Sequence, residues 1–159
     1  MAGSGDEFWN FSLAFYGRPG VSPACLELQD RHGRDVNLVL YACWVGLSGR
    51  GRLTAADLTR AAATNDPWRQ AVIENLRAAR RAIKEHAADA AQFYAMTKAV
   101  ELEAERMAQQ RLAALAPAHG TRDTERCRAE AAANLALYLE GDPERKAAQA
   151  IFAAIAAWT

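Results

Sequence analysis

An excess of charge of either sign is missing from this chain: 19 Lys and Arg offset 19 Asp and Glu over 159 residues. Binding to a phosphate backbone needs a basic excess or a basic face, so nucleic acid is not an expected partner. Long apolar runs are missing too. The longest, 36–47, falls short of the roughly 20 residues that cross a bilayer, so no membrane partner is expected. The opening MAGSGDEFWNF lacks the basic and apolar regions of a secretory leader, and a cytoplasmic location is the expectation. Cysteine is sparse. Cys25, Cys43 and Cys127 form no C-x-x-C, and an odd count makes a poor disulfide framework. Cys25 and Cys43 stand among apolar residues and read as small buried hydrophobes. His32, His86 and His119 are scattered without H-x-x-x-H or E-x-x-H spacing, so no histidine-based metal site is expected. P-loop, dinucleotide and Ser-His-Asp patterns are absent as well. No cofactor is implied, and catalysis is the less favoured reading.

Period-2 alternation is also nearly absent, whereas half the chain is apolar and rich in alanine at helical spacing. The expected fold is all-α: a compact bundle of about six helices, then two Ala-rich C-terminal helices. The first helix covers 7–16 with Asp6 as N-cap, and the second covers 22–31, stopped at His32-Gly33. Asp35 then caps a third helix over 36–47 that is apolar on nearly every face, which marks it as central and buried. Thr54-x-x-Asp57 reads as a capping box, with Leu53 and Leu58 as its hydrophobic staple. That fourth helix is expected to end near Asn65, with Asp66-Pro67 restarting the chain as N-cap and N1. The fifth helix follows to about residue 85 with a stripe of Trp68, Val72, Leu76, Ala79 and Ile83. A sixth, over 89–115, pairs with it as an antiparallel hairpin. After Pro117 to Gly120 come helices over 122–140 and 143–158, joined at Gly141-Asp142-Pro143. Residues 6–116 are therefore read as a core domain, and 121–159 as an extension packed on that core or on a partner. The aromatic residues Trp9, Phe11, Phe15, Tyr16, Trp44 and Trp68 are assigned to the core, and the Arg50-Gly-Arg52 loop to solvent.

Several polar residues do not fit a plain bundle. At about 100° per residue, Arg69 and Arg80 fall inside the apolar arc of the fifth helix, whereas Arg77, Arg81 and Lys84 turn further out. A guanidinium drawn onto an apolar face needs an anionic partner, because an unpaired buried charge is very unfavourable. Glu101 and Glu105 offer one. They are stacked four residues apart on one face of the sixth helix, and such a pair repels unless a cation sits nearby. Gln29, Asp30 and Asp35 are further candidates, and the Asn37 amide, in the first turn of the most apolar helix, must find partners. Interhelical Arg–Glu networks are common structural devices. The sharper reading is a polar pocket between the third, fifth and sixth helices that binds a small anion or other small ligand. A metal held by Glu101, Glu105 and an aspartate is the remaining alternative, without the Glu-x-x-His that bundle metal sites usually add.

From Phe8 to Leu112 the chain also resembles a known family. The matching pieces are Phe8-Trp9-Asn10-Phe11-Ser12 with Tyr16; Cys25-Leu26-Glu27-Leu28-Gln29-Asp30 after Val21; and Gly33-Arg34-Asp35-Val36-Asn37-Leu38-Val39-Leu40 leading to Trp44. Further on come Trp68-Arg69, Leu76-Arg77 with Arg80-Arg81, and Lys98 with Glu101-Leu102 and Ala104-Glu105-Arg106. The family consists of small, mostly proteobacterial proteins that carry a domain of unknown function. The resemblance implies a bacterial, cytoplasmic, all-helical protein and supplies no activity. The two terminal helices lie outside it. The leading functional expectation is a non-enzymatic helical module acting through contacts with another protein or a second copy of itself. The alternative is the small-ligand protein with a pocket, and the two partner classes expected are accordingly a protein chain and a small anionic ligand.

Overall fold

A computed structural model describes residues 3–159, all helical and without a strand among them. Helix α1 spans Ser4–Tyr16, α2 Val21–His32 and α3 Val36–Leu47. Helix α4 (Ala55–Trp68) runs through a widened π-helical stretch, Arg69–Ile73, into α5 (Glu74–His86). Then follow α6 (Ala91–Ala113), α7 (Thr124–Tyr138), α8 (Asp142–Ala147) and α9 (Gln149–Ala156).

Most local signals act as read. Gly33 ends α2 in the left-handed region at φ 64°, where a residue with a Cβ is disfavoured. Asp35 caps α3 by accepting the Asn37 N–H at 2.9 Å. The Thr54–Asp57 capping box is complete, and Leu53 and Leu58 are both buried beside it. Helix α1 begins earlier than expected: its cap is Gly3, and Asp6 lies inside the first turn, where its carboxylate meets Arg106 at 3.1 Å. An acid there still complements the helix dipole. The last expected helix is broken at Ala148 into α8 and α9.

Helix α3 is the axis of the fold, buried from Asn37 to Gly46. Phe8 of α1 stacks on its Trp44 with ring centroids 4.8 Å apart, and Phe15 is equally buried. Helix α7 crosses α3 at very close range. A Cβ on Gly46 would stand 2.2 Å from the Ala131 backbone nitrogen, so no larger residue fits without separating the helices. Leu135 of α7 and Ile151 and Ile155 of α9 join the same apolar core as α1–α3. All three cysteines are buried and unpaired, and burial pushes the Cys25 thiol up to about 12.

Two expectations are corrected. Arg50 is not solvated: its guanidinium lies 4.7 Å from the Trp44 ring centroid, donates to the Pro117 carbonyl at 2.9 Å and pairs with Glu7. It thus fastens the loop after α3 to the end of α6. Nor does the chain restart at Asp66-Pro67. It stays helical through Pro67, which removes one amide from the hydrogen-bond ladder, and the ladder resumes in the wider π register. A π turn holds an extra residue, so everything after it is rotated by about 100° relative to an unbroken α-helix. Ile73 is thereby fully buried, and Ala79, expected in the core stripe, is exposed. No residue of α5 is fully buried, and Trp9, Phe11, Tyr16 and Trp68 are only half-buried.

Candidate functional site

The rotation decides what α5 shows to α6. Alongside Leu76, which packs against the cluster of Ile73, Ala104 and Ala108, it presents two arginines, Arg77 and Arg80. Each reaches a glutamate of α6. Arg80 donates through Nε to Glu101 and bonds it again through Nη2 at 3.4 Å. Arg77 lies between the two stacked carboxylates, with Nη2 3.0 Å from Glu105 and Nε 3.5 Å from Glu101. The like-charge repulsion of an i, i+4 glutamate pair is thus relieved by a cation set between them.

The network continues into α3. The Asn37 side-chain amide donates to Glu105, and its carbonyl oxygen accepts from Gln109 at 3.0 Å. The backbone N–H of Asn37 goes to Asp35, whose other oxygen accepts from the buried Asn65 of α4. Arg69, at the start of the π stretch, sits 3.8 Å from Asp35 and also holds Asp66 and Glu74. A continuous ladder therefore runs from Asn65 through Asp35, Asn37, Glu105, Arg77 and Glu101 to Arg80. It ties α3, α4, α5 and α6 together beside the small apolar cluster of Ile73, Ala104 and Ala108.

The charges are unevenly compensated. Burial pushes the Asp35 carboxyl above its ordinary range, against the pull of Asn65, the Asn37 N–H and Arg69. Burial does the same to Glu105, against Asn37 and Arg77, and the neighbouring Asp35 and Glu101 add to the rise. Arg80 gains instead: the hydrogen bond it donates to Glu101 raises it. Positive charge is well held here, and negative charge is held at some expense.

Two hollows adjoin the ladder. One, of about 330 Å³, opens beside Asp35 and Arg69. The other, of about 410 Å³, lies between α1–α3 and the α5–α6 pair. They share Gln29, Val36, Asn37, Arg77, Arg81 and Glu105 as a common wall. The larger cleft has an apolar side made by Trp9, Leu13, Tyr16, Leu26 and Leu102. Ser12 and Gln109 also line it; both are almost fully buried, and Ser12 Oγ and Gln109 Oε1 have no partner among the described residues. Oxygens of that kind are rare in a finished core.

All eight residues singled out from the sequence line one hollow or the other. Asp35, Asn37, Glu101 and Glu105 are bonded into the ladder, as are Arg69 and Arg80, whose side chains are 24% and 22% exposed. Gln29 and Asp30 stand at the rim, where Asp30 faces Arg81 at 3.8 Å. Sequence reasoning missed Arg77, assigned to the outer face yet only 19% exposed; the π turn that brings it in leaves no plain signature. It missed Asn65 for the same reason, having ended the helix there. Gln109 was within reach, since it extends the Glu101–Glu105 row by one more turn of four.

The model of one protein family, described as a protein of unknown function (DUF2390), matches residues 7–112. The match covers about two-thirds of the chain and holds all eight singled-out residues, together with Arg77 and Gln109. It stops in the last turn of α6, so α7–α9, including the close crossing at Gly46, fall beyond it on the α7 side. No curated protein and no solved structure matches the chain.

Proposed function

Given that the chain belongs to the DUF2390 family of proteins of unknown function, we propose that it binds a small molecule in the cleft between α1–α3 and the α5–α6 pair. The observation that carries this reading is the make-up of the cleft: a buried Arg–Glu–Asn ladder on one side, an apolar wall on the other, and the unmatched oxygens of Ser12 and Gln109 between them. Ligand sites characteristically combine an apolar lining with a few fixed polar groups, at volumes of roughly 300 to 1,000 Å³. Arg77 and Arg80 are fixed from behind by Glu101 and Glu105, so they meet a ligand already oriented.

The test is a fragment library screened by NMR against the whole, ¹⁵N-labelled chain. The reporters are the Trp9 indole and the side-chain amides of Gln29, Asn37 and Gln109. Fragments that shift two or more of these together support the cleft. A screen in which none of the four responds removes the proposal.

A second reading, a helical module for protein contacts that self-associates, rests on a different observation. Phe93, Met96 and Val100 are exposed and lie along one face of α6 at spacings of three and four residues. That is the pattern of a helix face seeking a partner. Light scattering coupled to size exclusion decides its self-associating form: a dimer lost on Met96→Glu supports it, and a monomer at high concentration excludes it.

A further inference from the structure

We propose that the ligand of this cleft is an amphipathic anion: a free small molecule with an apolar chain or ring system and a single carboxylate head. The inference rests on the reading above and specifies its chemistry. It starts from the charge of the lining. Four cationic side chains, Arg77, Arg80, Arg81 and Lys98, face two carboxylates, Glu101 and Glu105. Both carboxylates are already engaged by Arg77 and Arg80 through their Nε and Nη2 atoms, and the Nη1 groups of these arginines take no part in the bonds. Lys98 enters none of the ion pairs that hold α5 to α6. Arg81 is 56% exposed, and its one ion pair among the described residues is the 3.8 Å contact with Asp30. At the end lined by Arg77, Arg80, Arg81 and Lys98 the cleft therefore offers positive charge beyond what Glu101 and Glu105 use. A carboxylate supplies the complementary acceptors and meets guanidinium groups in the favourable planar geometry.

The opposite side gives the other half of the ligand. Leu13, Leu26 and Leu102 are large, apolar and exposed, and all three line this one cleft. They come from α1, α2 and α6, so sequence proximity does not explain their meeting. An inorganic anion would leave them in water, and a purely apolar ligand would leave the donors unmatched. A molecule with both characters covers the leucines and places its head among Arg77, Arg80, Arg81 and Lys98.

The experiment uses the full chain and three probes with the same tail: decanoate and decylamine, titrated below their micelle concentrations, and decanol, titrated below its solubility limit. Decanoate is expected to shift the Trp9 indole and the Asn37 and Gln109 amides together. It should bind about tenfold more tightly than decanol, the gain expected of one charge-assisted contact, and decylamine should bind most weakly. The double variant Arg81→Ala with Lys98→Ala removes two residues outside the ladder, so the fold is retained. It is expected to bring decanoate down to the affinity of decanol, with decanol itself unchanged. Equal affinity for decanoate and decanol overturns the proposal, as does undiminished decanoate binding by the double variant. Shifts confined to Phe93, Met96 and Val100 do so too. Sedimentation with dioleoylphosphatidylglycerol vesicles separates a free ligand from a lipid surface: co-sedimentation lost in the same double variant overturns the free-ligand form. If fragments reach the four reporters while decanoate does not, the amphipathic anion falls and the binding cleft stands. If nothing reaches them, both fall.

Discussion

Arg34 and Asp35 are neighbours in the chain, yet they anchor two polar clusters of opposite character. Arg34 turns toward the C-terminal helices and grips Glu144 in α8 with two parallel bonds, Nε to Oε2 at 2.9 Å and Nη2 to Oε1 at 3.1 Å. The Glu140 N–H adds a third bond to the same carboxylate, and the Tyr138 ring lies 5.3 Å from the guanidinium. Burial alone would raise Glu144, but these partners outweigh it and hold the carboxyl below its ordinary value. Asp35 faces the other way, into the ladder with Asn37, Glu105 and the α5 arginines, where burial wins and the carboxyls rise. Arg34 holds Glu144 with two matched bonds and has Glu140 beside it at 3.4 Å. The ladder is stretched between four helices, retains buried carboxylates at raised values and borders open space. The first is a staple between the α2–α3 connection and α8. The second keeps raised carboxylates beside open space, the arrangement on which the proposed ligand cleft rests.

Breaking the staple should have the largest effect. Arg34→Ala leaves Glu144 buried without its cation, and a single partner removed from a buried pair costs about 3–5 kcal/mol. Urea unfolding of this variant should show a markedly lower midpoint. Arg80→Ala, by the same measurement, should cost distinctly less, because Arg77 still contacts Glu101. Equal losses would mean that the two clusters are built alike.

A smaller effect, and a sharper contrast, comes from pH. The Asp35 and Glu105 carboxyls have folded values above their unfolded ones, 3.8 and 4.5. Their contribution is fully present below those values and is lost as the pH rises through the folded ones. Glu144 is the reverse: its folded value lies below 4.5, so its contribution is present above 4.5 and is lost as the pH falls through the folded value. Acidifying from neutrality should therefore first relieve the ladder and then, below about 4.5, weaken the staple. In a series of unfolding curves against pH, Glu105→Gln should flatten the early gain and Glu144→Gln the later loss. Neutral-pH stability of Glu105→Gln should stay within about 1 kcal/mol of the parent, since the amide retains shape while removing a raised carboxylate.

The legibility of the two clusters from sequence differs for physical reasons. The helices themselves were readable because caps and periodicity are local: Gly33, Asp35 and the Thr54–Asp57 box act within a few residues of where they stand. The Asp35, Asn37, Glu101 and Glu105 side of the ladder was readable because polar groups among apolar neighbours at helical spacing demand partners. The staple was invisible, as Arg34 and Glu144 are 110 residues apart and each looks like an ordinary surface charge. Arg77 was misassigned because the angles assumed α winding after a restart at Pro67. The chain instead continues through the proline and changes register, a choice settled by packing against α6 rather than by any local residue preference.

That register change gives the smallest effect and the cleanest separation of the two windings. In unbroken α geometry Ala79 belongs to the stripe of Trp68, Val72, Leu76 and Ile83, and a charge there would be buried without a partner. With the π turn at Arg69–Ile73, Ala79 faces solvent on the far side of α5 from Glu101 and Glu105. Ala79→Glu should then change stability by no more than about 0.5 kcal/mol, the usual range for an exposed helix position. A loss above about 2 kcal/mol, the range for burying an unpaired charge or polar group, would restore the apolar stripe. It would turn Arg77 away from the glutamates and leave the cleft without its cationic wall.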